Sequence, residues 1–307
     1  RQKLFLLRNI WSADLLVCEF AAYQSYLPAL YGWLFGKPCL IVVGGTDAHY
    51  FPGIGYGNWQ KRFLKTFTAE SFKLCTHIAP KHKSLMFSEY HYDETEPKQQ
   101  GIYARLPNLK TPYTEIPNGY DAVKWKCILP KKKNTFITVT GGLEYSFQQS
   151  LKGIDLILEV APLFPECEFI ILGAESPDIL PKQLPNVKAI PPVKNDELIA
   201  IFSGCEYYMQ LSMAEGFPNS ICEAMLCECI PIGSEVFSIP EIIGDSGFVL
   251  KKRDVNLLRQ LIGDALLADK AALMKKARAR IADNYTLAQR TEKLSALCAN
   301  LVKGKQL

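Results

Sequence analysis

Glu215 and Glu223 frame the part of the sequence best equipped for chemistry, the run LSMAEGFPNSICEAM over 211–225. An ionised carboxylate only accepts hydrogen bonds and a hydroxyl can donate one, so two carboxylates suit a polyol. Between them Pro218 stands where a first helical residue loses nothing by lacking an N–H. The amides near Asn219 and Ser220 then form a positive helix N-terminus suited to phosphate. With a strand ending near Leu211, Glu215 falls in the loop at its carboxyl end, beside Gly216 and Phe217. Glu223 follows inside the helix, on a turn able to face the same cleft. One strand, loop and helix would thus hold a diphosphate on amides and polyols on carboxylates. The plainer alternative for such a spacing is a loop-capping Glu215 and a solvated Glu223.

Chemistry placed this way needs strands and helices in alternation, and the sequence supplies them. Short apolar runs bounded by Gly or Pro occur at Leu15–Cys18, Cys39–Val43, Thr76–Ala79, Thr114–Ile116, Thr135–Thr140, Phe169–Leu172, Val187–Ile190, Tyr207–Leu211, Ile230–Ile232 and Phe248–Leu250. Helix-length segments separate them, which predicts βαβ units, parallel sheets and an α/β class. From about Val255 the chain reads as helical, with Leu257, Leu258, Leu261, Ile262 and Ala265 at helical spacing. A break falls between the turn dipeptide Asn118-Gly119 and the charged run Lys131–Asn134, which reads as a linker. The expected organisation is a first domain over 1–122, a second over 123–285, and a helix over 286–307 that returns to the first. Ligands of open α/β sheets bind beyond the carboxyl ends of strands, so the loops following strands are where to look.

Composition excludes several classes. The chain has 307 residues, 48% of them hydrophobic and 21% charged, enough for two ordinary cores. A net charge of +4 is too small for a nucleic-acid-binding domain. Cys18, Cys39, Cys167, Cys205, Cys222, Cys227 and Cys229 sit in or beside apolar runs and read as reduced core thiols of a cytoplasmic protein. The apolar stretch from Leu15 to Val43 carries Glu19, Gln24, Lys37, Pro28 and Pro38 and fails as a membrane span. Gly53 to Asn58 lacks the last glycine of a dinucleotide fingerprint, and Pro38 after Gly36-Lys37 rules out a P-loop. Trp59, Phe63 and Phe67 recur at four-residue spacing among Lys61, Arg62 and Lys65. That pattern fits either a helix packed on a sheet or peripheral contact with an anionic membrane.

Ser212, Glu215-Gly216-Phe217-Pro218 and Glu223-Ala224-Met225 together resemble the donor-binding signature of retaining glycosyltransferases of family 4, glycosyl transferases group 1. Other pieces follow in the family's order. Ile116 to Asp121 is similar to the segment closing its first domain, Lys152-Gly153-Ile154-Asp155 to its Lys-Gly turn, Asn186-Val187 to its nucleotide-side loop, and Pro240-Glu241-Ile242-Ile243 to the helix after the donor site. The likeness covers nearly the whole chain and is strongest in the second half.

The resemblance implies a GT-B fold of two facing Rossmann-like domains and transfer of a sugar from a UDP- or GDP-sugar with retention of configuration. Acceptors would be glycans or lipid-linked glycans, in polysaccharide or cell-envelope biosynthesis, with no metal or other cofactor. No Asp-x-Asp occurs, as expected outside the metal-dependent class. Carried over, Glu215 contacts the donor sugar, Glu223 the ribose, and Lys152 the diphosphate, where it would stabilise charge on the leaving group. Gly216, Phe217, Asn219 and Ser220 complete the donor loop. At Gly142 glycine replaces the arginine that the family often pairs with this lysine. After Cys39–Val43 the family's histidine is absent; Asp47 or His49 stands in as an acceptor-side substitute, against the plainer reading of residues shaping a Gly-rich turn. A nucleotide-sugar epimerase of the same architecture, or a lobe pair that binds without turnover, are the alternatives. Arg1 opens the chain close to the first strand, so the first sheet is expected to be short and that domain incomplete.

Overall fold

The computed structural model describes residues 2–141, 143, 146–181 and 183–304, divided between two units. One comprises Arg1–Tyr90, Glu94–Gly119 and Ala288–Leu307; the other comprises His91–Asp93 and Tyr120–Leu287.

The first unit runs through α1 Gln2–Asn9, β1 Leu16–Glu19, α2 Tyr23–Leu34, β2 Cys39–Val43, α3 Arg62–Leu74, β3 His77–Pro80, the antiparallel pair β4 Ser88–Glu89 and β5 Gln99–Gln100, and α4 Ile102–Arg105. Its parallel sheet has the order β1-β2-β3. All of β2 is buried, because successive side chains point to opposite faces and both faces are covered. Cys39, Ile41 and Val43 enter one core with Phe72, Ile78 and Leu85, whereas Leu40 and Val42 enter a second with Ala79 and Ile116.

The expected strand Thr114–Ile116 does not form as a strand; its neighbour Tyr113 makes one isolated bridge to Ile78. The segment does run along β3: Ile78 donates to the Pro112 carbonyl, Thr114 to Ile78 and Ile116 to Pro80. Pro80 has no N–H to return a bond, and the ladder lapses there.

The second unit contains β6 Lys132–Val139, α5 Ser146–Leu151, α6 Ile154–Val160, β7 Glu168–Leu172, β8 Val187–Ile190, α7 Asn195–Gly204, β9 Cys205–Gln210, α8 Asn219–Leu226, β10 Ile230–Ser234, α9 Ile239–Ile243, β11 Phe248–Leu250, α10 Val255–Leu267 and α11 Lys270–Asn284. Its six strands, all parallel, take the order β11-β10-β9-β6-β7-β8. After β6 the chain builds outward through β7 and β8, then crosses to the other side of β6 for β9. The carboxyl ends of β6 and β9 are therefore the topological switch point.

Phe136 lies stacked between Phe169 at 5.0 Å and Tyr207 at 4.5 Å, residues paired with it in register on β7 and β9. Each such pair adds about 0.5–1.5 kcal/mol beyond its buried area, which fixes the register that aligns the strand ends. The charged run read as a linker is part of this sheet. Lys132 begins β6 and pairs with Cys205, the register shifts before Phe136, and Asn134 takes a positive φ of 54°. Lys131 is held by the carbonyls of Phe202 and Cys227.

The last helix, α12 Leu287–Lys303, lays Leu294, Leu297, Cys298 and Leu301 on the second core of the first unit. All ten cysteines are free thiols, and the seven named from sequence are buried. Among the described residues no helix is long and apolar enough to cross a membrane. The three aromatics at four-residue spacing are placed differently from one another. Trp59 precedes α3 and is buried with its indole N–H on the Asp47 carbonyl, while Phe67 packs edge-on against Tyr26. Of the three aromatics, only Phe63 is exposed.

Candidate functional site

At the switch point β9 ends at Gln210 and a buried loop leads to α8. Pro218 takes the cap position with extended φ and ψ and, among the described residues, provides no side-chain cap, so the amide end of the helix faces the loop after β9. Phe217 is buried edge-on against Tyr285, 5.2 Å between ring centres, and anchors the loop from beneath. Gly216 is buried beside it. Tyr120 donates its hydroxyl to Asn219 Oδ1 at 3.0 Å, tying down the first turn of the helix.

Lys152 arrives from the turn between α5 and α6. Gly153 there has φ 68°, and a Cβ on it would stand 2.4 Å from the Leu211 carbonyl. Only glycine permits this approach, which seats the turn on the end of β9, where Met213 also donates to the Leu151 carbonyl at 2.8 Å. Lys152 Nζ consequently reaches Glu215 Oε1 at 2.6 Å. Both side chains keep some exposure, 25% and 14%. The same carboxylate oxygen accepts from Ser212 Oγ at 2.9 Å and Gln210 Nε2 at 3.1 Å.

Behind these groups runs a network that sequence reasoning missed. Gln210 also donates to Ser212 at 2.7 Å, Tyr208 donates to Ser220 Oγ at 2.7 Å, and Ser220 donates to Gln210 Oε1 at 3.3 Å. Ser220, expected at the phosphate, thus uses its side chain to brace the loop. The signal was present in the spacing: Tyr208, Gln210 and Ser212 are two residues apart and share one face. Thr140, where β6 gives way to the loop, adds a buried hydroxyl without a hydrogen-bond partner among the described residues, as does Ser238 before α9. Gly142, expected to line the donor loop, lies outside the described residues. Asn186 bonds the carbonyls of Ala161, Phe164 and Cys167, which braces the turn before β7.

Glu223 differs from Glu215. It forms no side-chain hydrogen bond or ion pair among the described residues, and burial pushes its carboxyl up to about 7, with Lys124 opposing the rise. Half-buried and unbonded, it has acceptor capacity to offer a hydroxyl.

In the first unit both acceptor-side candidates lie in the interior. Asp47 is fully buried and accepts from the amides of Ala21 at 2.9 Å, Gly45 at 3.0 Å and Gly44 at 3.3 Å. It fastens the turn after β2 to the turn after β1. His49 is equally buried, against Phe51, and desolvation pushes its imidazole down to about 3. Neither reaches the surface.

The groups that do stand at the carboxyl ends of this sheet are Phe20 and Lys81, which sequence reasoning also missed. Phe20 is exposed and holds φ at 64°, a strained value for a bulky residue that is more often kept at functional sites. Lys81 Nζ lies 5.6 Å from its ring and 3.9 Å from Glu19, and burial lowers its pKa.

Residues 135–269 match the family model for glycosyl transferases group 1. The serotype-specific mannosyltransferase WbdA of Escherichia coli is 35% identical over 72 residues, which is 24% of this chain and 9% of that protein. Among solved structures, sucrose-phosphate synthase from Thermosynechococcus elongatus aligns with a TM-score of 0.73 at 15% identity, over 99% of this chain and 77% of the other. Anabaena Alr3699/HepE in complex with UDP and glucose aligns with a TM-score of 0.73 at 13% identity, over 97% and 81%. At these identities the structural likeness speaks for the fold, two Rossmann-like units of the GT-B type.

Proposed function

We propose that the protein, whose residues 135–269 match the family model for glycosyl transferases group 1, moves a hexose from a UDP- or GDP-sugar to a glycan or lipid-linked acceptor with retention of configuration. The observation that carries this reading is the Lys152–Glu215 pair at the β6/β9 switch point, beside the uncapped N-terminus of α8 and the unbonded Glu223. Mannose is the first sugar to try, because WbdA of Escherichia coli is named a mannosyltransferase.

In this reading the donor's diphosphate takes the amides of α8 and the ammonium of Lys152. Its sugar hydroxyls donate to Glu215 and its ribose to Glu223. Lys152 then exchanges a carboxylate partner for a phosphate one, while Gln210 and Ser212 keep Glu215 oriented. As the bond between the anomeric carbon and the diphosphate oxygen breaks, negative charge grows on the leaving group, and a fixed cation beside it lowers the barrier. The acceptor is assigned to the first unit, at the carboxyl ends of β1 to β3, where Phe20 and Lys81 stand exposed or half-buried. We place the reaction in the cytoplasm, in polysaccharide biosynthesis, without a metal.

A thermal-shift panel with UDP, GDP, CMP, ADP and NAD identifies the nucleotide, since a ligand of the folded state raises its apparent stability. Transfer assays with the matching nucleotide sugars follow. Glu215→Ala is expected to abolish transfer and preserve the fold; near-normal transfer by that variant overturns the site.

A further inference from the structure

Away from the switch point, the first unit holds two adjoining cavities that share a wall, the side chain of Arg105. One, of about 450 Å³, is lined by Arg105 with Lys73, Lys110, Leu106, Leu109 and Asn108. The other, of about 480 Å³, is lined by Arg105 with Lys65, Tyr50, Trp59, Thr66 and Glu70.

Arg105 is placed by the local chain. Gly101 takes φ 94° in a turn where a Cβ would meet the Met86 carbonyl at 2.7 Å, and Ile102 behind it is wholly buried. The buried Gln100 grips the backbone of Tyr50 from both sides, accepting from its N–H at 3.0 Å and donating to its carbonyl at 2.8 Å. The Tyr50 ring is thereby held under the guanidinium, 4.6 Å from Cζ.

The charge of this place is unbalanced. Four cations face the two cavities against one carboxylate, Glu70, which already pairs with Lys73 at 2.8 Å. Arg105 donates through Nη2 to the Gln99 carbonyl at 3.0 Å, but its Nε is buried without a partner among the described residues. Burial also lowers its pKa, so the charge is desolvated more than it is compensated. A planar guanidinium stacked on an aromatic ring matches a carboxylate or phosphate better than a lysine does. Leu106 and Leu109 add partly exposed apolar surface beside these charges, of the kind found in ligand pockets.

We infer that the paired cavities around Arg105 bind an anionic saccharide, a sugar chain bearing carboxylate or phosphate groups, at a site separate from the donor site. The saccharide half of this inference rests on the glycosyltransferase reading, whereas the demand for an anion rests on the charges alone. An acidic glycan held here would stay on the enzyme's surface through donor exchange.

The test is calorimetric titration of the full chain at low salt with an α-1,4-linked trigalacturonate, the same trimer with its carboxylates reduced to alcohols, and inorganic phosphate. Trigalacturonate is expected to bind at least about tenfold more tightly than either of the others. Arg105→Met should weaken it by about tenfold, and a Lys65→Ala/Lys110→Ala variant by severalfold, with nucleotide binding unchanged in both. Equal binding of the acidic and reduced trimers, or wild-type affinity in both variants, overturns the site. Phosphate binding as tightly as trigalacturonate overturns the saccharide assignment. Absence of sugar transfer with trigalacturonate still bound counts against the glycosyltransferase reading and not against this site.

Discussion

Asp47 and Glu215 occupy comparable places, each a few residues beyond the carboxyl end of an interior parallel strand, β2 and β9. Their surroundings could hardly differ more. Asp47 has no exposure and spends both oxygens on main-chain amides. Glu215 keeps an opening to solvent and is held by side chains, the outermost being Lys152. A carboxylate closed by backbone donors is fixed as structure, because those donors have nowhere else to go. One held by an ammonium on a flexible stem can change partners when a ligand arrives. The two sheets thus use the same position in opposite ways.

Substitution at both positions breaks the comparison most directly. Glu215→Ala is expected to lower transfer by roughly 10³-fold with little change in melting temperature. Asp47→Ala should do the reverse, leaving two buried amides and one half-buried one without acceptors and costing about 3 kcal/mol of stability, read as a large drop in melting temperature. A stable Asp47→Ala that cannot transfer sugar would invert the assignment.

Lys152→Ala tests whether that partner is exchangeable. Affinity for the nucleoside diphosphate should fall by roughly 10²-fold in calorimetry, with the bare nucleoside unaffected. A loss equal for both ligands would make Lys152 a brace for Glu215 only.

Smaller effects come from titration. Glu223 is raised to about 7, so its ionised form, the better acceptor, is depleted as pH falls; nucleotide affinity should drop by about tenfold between pH 8 and 6, and Glu223→Gln should be flat. Its folded pKa exceeds the unfolded one, so the fold binds the extra proton. Stability from this group therefore rises as pH falls from 7 towards the usual carboxylate range. His49 has the opposite sign: held neutral down to about 3, it contributes stability above the ordinary imidazole range and loses it on acidification. Melting curves of Glu223→Gln and His49→Phe against pH should therefore deviate from wild type in opposite directions. The smallest expected effect is at the first sheet, where Lys81→Met should raise the acceptor KM by about threefold and leave nucleotide binding alone.

Most strands were legible because buried parallel strands read as unbroken apolar runs. Cys39–Val43, Val187–Ile190 and Phe248–Leu250 coincide with the structure at both ends. Misreadings arose where backbone chemistry or charge masked the pattern. Pro80 lies in a neighbouring strand, so the interruption it causes at Thr114–Ile116 is invisible locally. Lys132 and Asn134 look like a linker until the pairing with β9 is known. At the site, Lys152, Glu215 and Glu223 could be named from type and spacing. The support behind them could not be read as easily, since Gln210 and Tyr208 sit in a strand whose sequence looks like plain core. For Asp47 and His49 the sequence left two readings open, because burial belongs to the fold and not to the local sequence.

Helix α12 carries a consequence for biosynthesis. It covers one face of the first sheet, yet it lies more than half the chain downstream of Ile116, the residue it meets there. During translation, residues 120–287 can complete their own sheet while Leu40, Val42 and Ala79 still wait for Leu294, Leu297 and Leu301. The unit that comes second in sequence is thus the first able to finish folding. Its neighbour, synthesised earlier, spends that interval with an apolar face bare to chaperones.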